Sequence, residues 1–183
     1  MKFRTTILLI VLLAVFYSCS KDEFDIDAPD VHTFVQQLKN GTYNEFYYNE
    51  AGEKVWALMP AFELDHVAEL IELASDTSFL PEELKCVPLN PMSSRIPFPS
   101  NRPGKIILGE YLLWCAQYAI EGGFPSLDPF LVNNNEEEPG KGISAKEILE
   151  ARNAYEIWWN QYGDTDINEE TPHPLSGTPY RWF

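Results

Sequence analysis

Little in this chain points to a known chemistry. Three cysteines in 183 residues are too few for a disulfide-built fold. The three histidines, His32, His66 and His173, stand apart, with no metal-ligand spacing. There is no Gly-x-Ser-x-Gly, no phosphate-cradling glycine loop and no dinucleotide fingerprint, so the sequence calls for no cofactor or metal. Basic residues are scarce too, with 13 Lys plus Arg against 28 Asp plus Glu and a formal charge of −15. Phosphate backbones would repel such a chain, which excludes nucleic acid as a partner. What is present is a composition 45% hydrophobic and 14% aromatic, enough to build the core of one globular domain.

The longest apolar run, Ile7 to Phe16, holds ten residues, whereas a membrane-spanning helix needs about 20. Lys2 and Arg4 precede the run and Ser18-Cys19 follows it, which is the layout of a signal peptide over residues 1–18. The small residue before Cys19 resembles a lipobox, in which the thiol is acylated and the cysteine becomes the new N-terminus. An ordinary secretory signal cleaved near Ser18 is the alternative. The next residues, Ser20-Lys21-Asp22-Glu23, resemble the tag that directs lipoproteins to the outer face of the outer membrane, against retention on its periplasmic face. Residues 19–29 read as a lipidated N-terminus and flexible tether, and residues 30–183 as one globular domain. Removal of residues 1–18 takes away Lys2 and Arg4 and no acids, leaving 11 basic residues against 28 acidic and a charge of −17.

The body of the chain reads as mainly α, a small domain of about four helices with one β-hairpin and two long loops. Val31, Phe34, Val35 and Leu38 have helical spacing, with Asp27 or Asp30 as N-cap and Gly41 past the end. Val67, Leu70, Ile71 and Ala74 repeat that spacing. Ile106 to Glu121 is apolar nearly all round and stops at Gly122-Gly123, which predicts a buried central helix. In the last helix Ser144 and Glu147 make a capping box, and Gly163 sits where a C-terminal glycine cap belongs. Tyr43 to Tyr48 and Lys54 to Leu58 flank Asn49-Glu50-Ala51-Gly52-Glu53 and predict the hairpin. The loops are Pro81–Pro103, with interior prolines at 88, 91, 97 and 99, and Pro125–Gly142.

Several short motifs carry a resemblance. Pro60-Ala61-Phe62, Asn90-Pro91-Met92-Ser93-Ser94, Leu108-Gly109-Glu110 with Leu112-Leu113-Trp114, and Pro125-Ser126-Leu127-Asp128-Pro129, together with the signal and tag, resemble uncharacterised small lipoproteins of Bacteroidetes-type bacteria. These are grouped as a domain of unknown function. The resemblance implies an envelope location and carries over no activity and no catalytic residue.

The candidate sites are few. With Cys19 acylated, Cys86 and Cys115 either pair in an oxidising compartment or stay free, Cys115 as a small filler beside Trp114. Asp164, Asp166 and Asn168 alternate as in a calcium loop, but Glu169 stands where that loop needs glycine. The aromatics of the C-terminal quarter, Trp158, Trp159, Tyr162, Tyr180, Trp182 and Phe183, are either a stacking face for a glycan or protein ligand or part of the core. The reading is a lipid-anchored surface lipoprotein that acts as a binding or interaction module. Its rivals are a hydrolase of surface polymers, for which 28 acids leave any chosen pair arbitrary, and a structural subunit of an envelope complex.

Overall fold

Each stretch of helical spacing forms a helix, and the local signals decide where each begins. The computed structural model describes residues 24–81, 106–122, 129–135 and 143–182. Helix α1 (Val31–Lys39) starts at Asp30, whose carboxylate accepts the Thr33 N–H at 2.7 Å, and buries Val31, Phe34, Val35 and Leu38. It ends at Asn40, after which Gly41 takes a φ of 64°. Strands β1 (Phe46–Tyr48) and β2 (Lys54–Ala57) pair antiparallel as the predicted hairpin, closed by the Asn49 side chain, which accepts the N–H groups of Ala51 and Glu53. A 3₁₀ turn (Leu64–His66) then leads into α2 (Val67–Leu73), with His66 Nδ1 accepting the Glu63 N–H at 3.0 Å.

Helix α3 (Leu108–Ile120) is the centre of the fold and packs against α2 and α4 (Ala145–Tyr162). Residues 108–117 of α3 are buried without interruption, as expected of a helix that is apolar nearly all round. Two polar side chains share that burial. Glu110 accepts the Leu131 N–H at 2.9 Å, and Gln117 joins a chain of hydrogen bonds described below. The close approach of α2 to α3 depends on Gly109, where an added Cβ would lie 2.3 Å from the Ala74 carbonyl oxygen.

Helix α4 begins in the expected capping box. The Ser144 hydroxyl accepts the Glu147 N–H at 3.3 Å, and Glu147 accepts the Ser144 N–H at 2.7 Å. Its end differs from expectation in one respect. Gly163 is the C-cap residue but keeps a right-handed φ of −60°. The glycine is there for space, because a Cβ would come within 2.7 Å of the Trp159 ring.

Two features were not legible in the sequence. Strands β3 (Leu131–Asn133) and β4 (Tyr180–Trp182) pair antiparallel, with Leu131 opposite Trp182 and Asn133 opposite Tyr180. Each strand is three residues long, too short for an alternating pattern to register. The second feature corrects the tether reading for residues 24–29. Phe24 packs on Phe34 and Tyr43, Ile26 accepts the Ala61 N–H at 2.9 Å, and Pro29 is buried, so the packed body reaches back to Phe24. Phe34, fully buried, is the hub of this aromatic cluster, with Tyr43 and Phe62 edge-on at 5.3 and 5.2 Å. Cys115 is a free, fully buried thiol 3.9 Å from the Met59 sulfur, and burial pushes its pKa up, which suits a filler. Cys86 and most of the two long loops lie outside the described residues.

Candidate functional site

The C-terminal end of α3 and the segment after α4 enclose a cleft. After Gly163 the chain turns back through Thr165, whose hydroxyl donates to the Tyr162 carbonyl at 2.7 Å, and runs over the end of α3 before entering β4. The resulting cleft, of about 550 Å³, has walls from Ile120, Ile167, Trp158, Pro172 and Pro174. Openings of about 320 and 500 Å³ share walls with it, the first at Trp158 and Pro172, the second at Ile120 and Ile167. The three openings adjoin through these shared residues, as a crevice of three compartments.

A series of four hydrogen-bonded side chains runs from the interior to the cleft, which its last two members, Gln117 and Glu121, line. Trp182, an indole that can only donate, gives its Nε1–H to the Tyr155 hydroxyl at 2.8 Å. Tyr155 must then pass its own proton onward, and it donates to Gln117 Oε1 at 2.5 Å. That fixes the Gln117 amide, so Nε2 faces Glu121 and donates to its Oε1 at 2.6 Å. The series begins in β4, crosses α4 and ends on a carboxylate that opens into the cleft. Each member is satisfied only in this one direction, which holds Glu121 in a single pose. Burial raises the Glu121 pKa, with the Gln117 hydrogen bond working the other way. His173 Nε2 lies 4.0 Å from Glu121 Oε1, and burial lowers its pKa. Its Nδ1 accepts the Leu175 N–H at 3.0 Å, which leaves the proton of the neutral ring on Nε2, facing the carboxylate. The outer parts of both side chains stay open, with 34% of Glu121 and 40% of His173 exposed.

The aromatics singled out in the sequence divide by position. Trp158, Tyr180 and Trp182 are buried, and Trp159 and Tyr162 are partly covered. Trp158 donates its Nε1–H to the Pro172 carbonyl at 2.5 Å and lines the cleft with only 5% of its surface exposed. The Tyr180 hydroxyl donates to Glu150, and Trp182 starts the series that ends at Glu121. The Trp158 and Tyr162 rings lie 5.7 Å apart along α4, tilted at 42° to one another. Cys19, the tag Ser20, Lys21, Asp22 and Glu23, and Phe183 lie outside the described residues.

Sequence reasoning passed over Gln117 and Glu121 and set His173 aside as a histidine standing apart. A signal existed for the first two, since Gln117 and Glu121 are i and i+4 at the end of a helix whose other polar side chain is Glu110 in its first turn, and a polar pair there needs a reason. His173 had none, because nothing in the chain marks it as a neighbour of residue 121. Among the described residues no three His, Cys, Asp or Glu side chains converge on one point.

The family model described as a domain of unknown function, DUF4943, matches residues 25–183. The chain belongs to that family. The match begins beside Phe24, where the packed body begins, and takes in every described helix and strand. No curated protein and no solved structure matches the chain.

Proposed function

We propose that this DUF4943 protein is a lipid-anchored outer-membrane lipoprotein, displayed at the cell surface, that works as a binding module through the crevice at the end of α3. The observation that carries the binding reading is Glu121: a carboxylate oriented by Gln117, opening into a cleft of about 550 Å³ whose walls are part apolar and part polar. Ligand sites are characteristically concave and apolar with a few oriented polar groups. The location rests on the sequence, on the basic start, the ten-residue apolar run, Cys19 and the charged residues that follow. An acyl chain on Cys19 would supply the anchor, at about 0.8 kcal/mol for each buried methylene. No helix of the described residues is long and apolar enough to cross a membrane.

The test is acylation and fractionation of the full-length chain in cells fed an alkyne fatty acid. The parent protein is expected to take up the label and sediment with outer membranes. Cys19→Ala is expected to lose both. An unlabelled parent protein that remains in the soluble fraction would overturn the lipoprotein reading.

A further inference from the structure

The crevice has a consistent charge. Among the described residues lining its three openings none is lysine or arginine, while Glu63, Glu121 and Glu169 all line it. Asp164, Asp166 and Glu170 lie exposed on the segment that forms its outer wall. The nearest described arginine on α4, Arg152, is already engaged, donating to Glu156 at 2.8 Å and to the Ile71 carbonyl at 3.0 Å. Among the described lining residues His173 is the one basic side chain, and its partial burial lowers its pKa.

From that arrangement we infer that the crevice takes a lysine or arginine side chain of a partner polypeptide, its cationic head against Glu121 and its methylene stem along Ile120, Ile167 and Pro172. This rests on the binding-module reading above and names the ligand chemistry for it.

Three observations agree on that occupant. The Glu121 carboxylate has one oxygen committed to Gln117, and its second oxygen has no partner among the described residues. A cation arriving there meets an oriented acceptor, and the reorganisation has already been done in folding. Beside the carboxylate, Ile120, Ile167, Pro172 and Pro174 supply apolar wall that suits the long stem of a basic side chain, while Asn168, Glu169 and Thr171 supply oxygen acceptors for its head. The whole chain, at −15, surrounds the site with a field that draws basic partners and repels acidic ones. A glycan fits less well, since the indole at the cleft, Trp158, is buried and gives no open ring face for a sugar to stack on.

The test uses the full-length acylated protein in nonionic detergent micelles. The probes are blocked tripeptides of leucine, a variable central residue and leucine, with lysine, arginine, norleucine or glutamate at the centre. Binding is read by NMR shifts at the indole N–H of Trp158 and the backbone of residues 120–122 and 167–173. The lysine and arginine peptides are expected to shift these signals saturably, and the norleucine and glutamate peptides to leave them in place. Glu121→Gln keeps the shape and the Gln117 contact and is expected to weaken binding at least tenfold. Glu169→Gln, at the exposed rim, is expected to weaken it only a fewfold. Equal binding of the norleucine and lysine peptides, unchanged by Glu121→Gln, would overturn the cationic assignment and leave the crevice as a site. No shift at these residues with any of the four peptides would overturn the cationic assignment as well. The binding-module reading itself would fall if fragments of every class, sugars included, also left these signals unmoved.

Discussion

At the scale of single residues, the positions that matter most are those where nothing else fits. Gly109→Ala would drive a Cβ to 2.3 Å from a backbone carbonyl that cannot swing aside, so α2 and α3 would have to separate. Such overpacking costs about 1–3 kcal/mol or more, and chemical denaturation should show a loss in that range. Tyr155→Phe tests the polar series. It removes one oxygen and strands two buried groups, the Trp182 Nε1–H and the Gln117 Oε1. Each stranded group costs about 1–3 kcal/mol, so the loss should exceed that of an ordinary surface hydrogen bond. If Tyr155→Phe is as stable as the parent, the series is not holding Glu121. Cys115 belongs to the same scale. Buried with a raised pKa, it should resist alkylation in the folded protein and react on unfolding.

At the scale of elements, the sequence was most legible where the cause is local. The helical spacing of residues 31–38 and the Ser144–Glu147 capping box are read from a few neighbouring side chains, and the structure has both. The β3–β4 pair needs two three-residue segments about 50 positions apart, and no local rule brings Leu131 to Trp182. The cleft shares that difficulty, because Glu121 and His173 meet only once the chain after Gly163 has folded back. Asp164, Asp166 and Asn168 looked like half of a metal loop, yet Asn168 spends its side chain on its own turn, accepting the Glu170 N–H at 2.9 Å. Two predictions belong here. Ser144→Ala should cost about 1 kcal/mol through the lost cap. Acid sensitivity should trace partly to Asp76, whose carboxylate accepts from Lys39 Nζ at 2.7 Å and from Ser78, which lowers its pKa from 3.8 to about 2. Because the folded value is the lower one, its contribution is complete above pH 4 and is lost as pH falls through 2. Asp76→Asn should flatten the dependence of stability on pH across that window, and an unchanged slope there would contradict the assignment.

For the whole molecule, the account joins an anchor read from the first 23 residues to a crevice assembled by the last 20. The strongly acidic balance is compatible with both, since it would favour solubility at a cell surface and bias the proposed crevice towards basic partners. What ties the two ends together is the packed body between Phe24 and Trp182, in which α3 is buried on every side and carries Glu121 at its exit. The most direct measurement of the central claim, an anchored protein that presents this crevice outward, is labelling of Thr171→Cys on intact cells with a membrane-impermeant maleimide. Thr171 lines the cleft without entering the Trp182–Glu121 series, and the parent protein reports any background from its own thiols. The account predicts labelling of the variant above the parent on intact cells, with little gain after lysis. Labelling that appears only once the cells are broken would place the crevice inside the envelope and contradict surface display.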